Sequence, residues 1–156
     1  MRKIVAALVC AGTMAGSIAA RDQAASALPS TWALSTTATI GTNHLLNGVS
    51  CVGPSSCTAV GSAITSQGYH PIAEHWDGTI WSAALVPAVG AYSTLNSVSC
   101  TDVSMCIAVG SEGISPSRPL AERWNGTSWS VLPIAAPMGQ SDVELWGVSC
   151  VSATFV

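Results

Sequence analysis

From Gly48 onward, apolar residues alternate with small or polar ones in short runs, and each run is closed by a turn-forming cluster. The first run, near Gly48 to Val52, turns through Gly53-Pro54-Ser55-Ser56 and returns near Cys57 to Ala63. A polar loop, Thr65 to Gly68, leads to a third run, His70 to Trp76, and a fourth, Thr79 to Leu85. Asp77-Gly78 joins the last two. This dipeptide tolerates positive φ at both centres of a type I′ turn, so a two-residue hairpin is predicted there, with Trp76 and Trp81 diagonal across it. A helical reading fails, because outside the N-terminus no window of about 11 residues keeps an apolar stripe free of Gly, Pro or β-branched runs.

The four runs then repeat. Val-Ser-Cys recurs at Val49, Val98 and Val148, a period of 49 and then 50 residues. Cys51 and Cys57 correspond to Cys100 and Cys106, Ala59-Val60-Gly61-Ser62 to Ala108-Val109-Gly110-Ser111, and Ala73 to Ser82 to Ala121 to Ser130. The turn dipeptide becomes Asn125-Gly126, so the formal glycosylation sequon Asn125-Gly126-Thr127 is explained by the turn. Trp32 precedes Cys51 by 19 residues and Trp81 precedes Cys100 by 19, which makes Ser30 to Leu34 the tail of an earlier unit. Four strands per unit predict an all-β chain: an incomplete β-propeller of about two four-stranded blades with flanking partial blades. The units fall at 48–96, 97–146 and a partial 147–156 within a repeat region spanning 28–156.

The recurring residues read as framework. Trp76, Trp81, Trp124 and Trp129 are expected to pack blade against blade, with stacking of sugar rings as the functional alternative. Trp146 has no counterpart and receives no role. The five residues between the paired cysteines allow disulfides Cys51–Cys57 and Cys100–Cys106. Zinc is the weaker reading, since no histidine recurs at a fixed offset from the cysteines. Cys150 is left as an unpaired thiol, because its partner position is Val156 and Cys10 is expected to leave with an export signal. Glu74 and Glu122 recur beside the tryptophans and are expected to bond backbone. None of the histidines recurs: Ser93 stands in the place of His44, Arg118 in that of His70 and Arg123 in that of His75.

Charge and the N-terminus narrow the setting. Only 8% of residues are charged and the net charge is -3, so no basic surface exists to hold nucleic acid. Arg2 and Lys3 precede an uncharged run, Ile4 to Ala20, the layout of an export signal, here assigned to 1–27 with cleavage after Ala27 or Ala19. A retained N-terminal anchor is the alternative. The mature chain is expected to be secreted or at the cell surface, with no membrane span after cleavage, since no later stretch is apolar enough to cross.

At Gly48-Val49-Ser50-Cys51, Cys57, Ala59-Val60-Gly61 and Ala121 to Ser130, the chain resembles secreted, poorly characterised β-propeller-like repeat proteins of actinobacteria. That resemblance implies an exported repeat protein and no particular activity. No catalytic residue, metal site or cofactor is assigned, since the sequence holds no nucleophile elbow, Gly-rich phosphate loop or recognisable catalytic carboxylate pair. The expected function is a binding or scaffold module, a fragment of a longer propeller, whose partner is an extracellular protein or glycan. The alternative is an extracellular glycan-active enzyme. With two outer faces bare, the isolated chain is expected to self-associate into a ring or to aggregate.

Overall fold

A computed structural model of the protein describes residues 4–10, 35–38, 40 and 42–152. The expected cleavage sites and Ser30 to Leu34 lie outside these residues. The described residues form ten strands in chain order: β1 (Ile4–Cys10), β2 (Thr42–Gly53), β3 (Ser56–Thr65), β4 (Gly68–Trp76), β5 (Trp81–Ala84), β6 (Ser93–Asp102), β7 (Met105–Glu112), β8 (Arg118–Trp124), β9 (Trp129–Leu132) and β10 (Val143–Cys150). They make two four-stranded antiparallel sheets, β2-β3-β4-β5 and β6-β7-β8-β9, and a parallel pair of β1 with β10. The fold is all-β, and among the described residues neither four-stranded sheet closes on itself.

Local chemistry explains the repeated register. In both sheets the first strand bulges at the same place: Leu46 pairs with Gly61 and Gly48 with Val60, leaving Asn47 as the bulge, and Leu95 and Ser97 flank Asn96 in the same way. Opposite each bulge the backbones approach so closely that a Cβ on Gly61 would stand 1.8 Å from the Leu45 carbonyl oxygen. On Gly110 it would stand 1.9 Å from that of Thr94. Only glycine fits there. The bulge recurs in β10, where Leu145 and Gly147 face Ala6 and Ala7 and leave Trp146 as the extra residue.

The turn at Asp77 departs from the two-residue hairpin. Trp76 and Trp81 face each other directly as the closing pair of β4 and β5, so the loop holds the four residues between them. Asp77 Oδ1 accepts hydrogen bonds from the Thr79 and Ile80 amides and the Thr79 hydroxyl, and only Gly78 adopts positive φ. Asn125 does the same for Thr127 and Ser128. The side chain that caps the loop, not a doubly left-handed backbone, therefore decides the turn. The consequence is that each tryptophan pair is opposed, with ring centroids 5.6 Å apart in the first sheet and 5.8 Å in the second.

Alternation sends Ala73 and His75 to the face of the first sheet that meets the second, and Ile72, Glu74 and Trp76 to the other face. The main core fills the space between the sheets: Val60 and Ala73 meet Leu95, Val98, Leu120 and Trp129. A second core joins the far face of the second sheet to β10 through Ile107, Val109, Ala121 and Leu145. At the sheets' other end the Tyr69 amide donates to the Ala91 carbonyl and the two rings of Tyr69 and Tyr92 stack.

Disulfides Cys51–Cys57 and Cys100–Cys106 close the β2–β3 and β6–β7 turns. Cys150 departs from the unpaired thiol expected of it, for it is disulfide-bonded and no described cysteine is free. The expectation had removed Cys10 from the chain. Here β1 sets Cys10 opposite Cys150 in the parallel ladder.

Candidate functional site

Polar side chains line two matching junctions, the seam between the two sheets and that of the second sheet with β10. Asn47, re-aimed by its bulge, donates through Nδ2 to the Leu95 carbonyl at 2.9 Å, and Asn96 donates to the Leu145 carbonyl at the same distance. The Ser50 hydroxyl accepts the Cys100 amide, and the Ser99 hydroxyl accepts the Cys150 amide, each at 3.0 Å. Each unit thus clasps the next by side chain to backbone, twice in register. Sequence reading missed these four residues, although the signal was present: Leu-Asn-x-Val-Ser-Cys is shared by both complete copies. In the third, Trp146 takes the asparagine's place.

His75 occupies the outer part of the seam. Its Nδ1 shares a 2.9 Å hydrogen bond with the Thr58 hydroxyl, and its ring lies 4.4 Å from that of Trp124 and 6.4 Å from that of Trp129. Burial lowers the imidazole's pKa, which favours the neutral ring. Its Nε2 is buried with no hydrogen-bond partner among the described residues. An open cleft of about 390 Å³ lies beside it, lined by Ser82, Leu85, Trp124 and Thr127 among others. Thr58 is itself buried and lies 3.6 Å from the Cys106 sulfur, so this hydroxyl and imidazole are packed between sheets, with no third group orienting Nε2 as a base requires.

The four tryptophans divide into two settings. Trp124 and Trp129 face the first sheet and hold His75 between the sheets, and Trp129 is only 4% exposed. Trp76 and Trp81, on the opposite face of the first sheet, are half-buried and contact each other. Trp76 and Trp124 each donate the indole N–H to a turn carbonyl, that of Pro54 or Val103.

The paired carboxylates also differ. Glu74 is fully buried, and its Oε2 accepts the Ala38 amide at 3.1 Å. Glu122, equally buried, has no partner for either oxygen among the described residues, and burial pushes its pKa up to about 8. The repeat explains the gap: with Trp32 and Trp81 in register, the place of Ala38 in the second unit belongs to Pro87, which has no N–H.

His44 and His70 lie outside this seam, on β2 and at the far end of β4, and Arg118 reaches 3.9 Å to Glu112 on the surface. Among the described residues no group of three or more His, Cys, Asp or Glu side chains is placed to hold a metal, and no helix is long and apolar enough to cross a membrane. Comparison with known protein families, curated proteins and solved structures finds no match.

Proposed function

We propose that the protein is an exported binding or scaffold module whose sheets stack as the blades of a β-propeller. The observation that carries this reading is the repeated clasp. Asn47 and Ser50 hold the second sheet as Asn96 and Ser99 hold β10, so these four groups, repeated in register, attach one unit to the next. Two disulfides, which persist in oxidising compartments, support export. The chemistry around His75 supports a packing role over a catalytic one, because its hydroxyl neighbour is buried in the seam.

The test is a glycan array probed with the full chain, followed by a turnover assay on any glycan retained. Binding without turnover is the expected result. Turnover that is lost in His75→Ala overturns the reading in favour of a glycan-active enzyme.

A further inference from the structure

The face of the first sheet turned away from the second is covered in part, where Ala38 meets Glu74 and Ala59 and Ile72 are buried, but around Val49 and Trp81 it has no other half among the described residues. Val49 on this face is 61% exposed, whereas Val98, its counterpart in the second sheet, is 7% exposed because the first sheet covers it. An open cleft of about 370 Å³ runs along Leu46, Val49, Ala59 and Trp81. The corresponding residues of the second sheet, Leu95, Val98, Ala108 and Trp129, are core. The Trp76–Trp81 pair has the centroid spacing and tilt of Trp124–Trp129, 43° against 44°, yet no described side chain enters it.

The missing half is present elsewhere in the chain. Arg123 stands where His75 stands one unit earlier, is exposed, and has no ion-pair or ring partner among the described residues. The two plugs differ in charge, and so do the two receptacles. Neutral His75 enters a tryptophan pair whose turn is capped by neutral Asn125, while the empty pair is capped by the carboxylate of Asp77. That carboxylate is exposed, and the Thr79 hydroxyl followed by the Ile80 and Thr79 amides keeps it ionised by lowering its pKa. A guanidinium over two indoles beside a carboxylate is a favourable cation–π and charge arrangement.

We propose that the open face of the first sheet receives the second sheet of another copy of this chain, with Arg123 entering the Trp76–Trp81 pair as His75 enters Trp124–Trp129. The contact is head-to-tail, so copies add in a ring or a row. It rests on the blade-stacking reading above and extends the existing seam. The receiving copy's β2 takes the inner-strand place that β10 holds in the copy that supplies Arg123. By sequence position its Leu46 carbonyl and Cys51 amide replace those of Leu145 and Cys150, which Asn96 and Ser99 now bind. β10 is then a placeholder: it offers the same backbone groups but brings no tryptophan pair for Arg123.

Complementation between two variants tests this. Arg123→Ala retains the receptacle and Trp81→Leu retains the plug, so each alone is expected to stay monomeric at concentrations where the wild-type chain associates, by size-exclusion chromatography with light scattering. An equimolar mixture regains one productive contact and is expected to give a one-to-one dimer. Far-ultraviolet circular dichroism and peptide mapping of Cys51–Cys57 verify that both variants are folded, and Trp81→Phe replaces Trp81→Leu if the latter is not. A wild-type chain that remains monomeric up to its solubility limit, association unchanged by either variant, or a mixture that stays monomeric overturns the proposal. Failure here leaves the stacking of sheets within one chain intact, since that is read separately by the stability of Asn47→Ala.

Discussion

The two sheets share register, bulge, disulfide and turn, yet differ at one buried carboxylate. Glu74 receives an amide from the segment that precedes its sheet, and Glu122 receives none because that segment carries Pro87. Repetition copies a framework faithfully where the framework is backbone geometry. It copies less faithfully where a side chain depends on one N–H from a segment outside the sheet. The same division separates the plugs: His75 is seated in a seam and neutral, Arg123 is exposed and charged.

The most damaging change should strike both sheets alike. Gly61→Ala and Gly110→Ala each force a Cβ into a facing carbonyl and should unseat the bulge, with a loss of about 3 kcal/mol or more, measured by urea unfolding. A mild effect in one sheet alone would show that its bulge relaxes and that the two are not equivalent.

Acidity should separate the sheets. Below pH 4.5 Glu122 is protonated whether folded or not; between 4.5 and about 8 the unfolded chain releases its proton while the folded chain keeps it. This group's contribution to stability therefore falls as pH rises through that window, by at most about 1.4 kcal/mol per pH unit, and levels off above about 8. Glu122→Gln should remove the slope. Pro87→Ala, by restoring an amide at the place of Ala38, should flatten it while leaving the carboxylate in the chain. Unfolding midpoints measured across pH 4 to 9 decide the matter; an unchanged slope in Glu122→Gln would assign the pH dependence to another group.

The smallest expected effect lies in the clasp. Asn96→Ala removes its inter-sheet hydrogen bond to the Leu145 carbonyl, and Asn47→Ala those to the Leu95 carbonyl and, at 3.4 Å, the Thr94 hydroxyl, about 1 kcal/mol in each case. Asn47→Ala should weaken the junction of the two sheets, and Asn96→Ala the seating of β10. Hydrogen exchange of β10 amides, faster in Asn96→Ala only, would sharpen the distinction.

Strand count and disulfide positions were legible because both depend on local alternation and on spacing repeated in register. The strand limits were less so. β2 begins at Thr42, well before Gly48, because pairing of Leu45 and Leu46 with Ser62 and Gly61 extends the ladder through residues whose own pattern is polar. The two-residue turn was misread because Asp-Gly signals it strongly, while the loop is governed by an aspartate side chain that caps amides two and three residues on. The clasp was hidden for another reason. An asparagine in a strand reads as solvent-facing unless the bulge that turns it toward a neighbour is recognised. Glu122's isolation could be seen only by comparing the segment before each sheet, where a proline replaces an alanine.

The form of the clasp bears on how such a chain can change over generations. Asn47, Ser50, Asn96 and Ser99 grip carbonyls and amides that every residue except proline provides, and the only neighbouring side chain they also reach among the described residues is the Thr94 hydroxyl, 3.4 Å from Asn47. A unit that recognises its neighbour in this way can be duplicated, deleted or shuffled by unequal recombination without a compensating change next door. Positions 75 and 123, which take no part in the clasp, are then free to diverge and acquire separate partners, while the copy number of the array drifts.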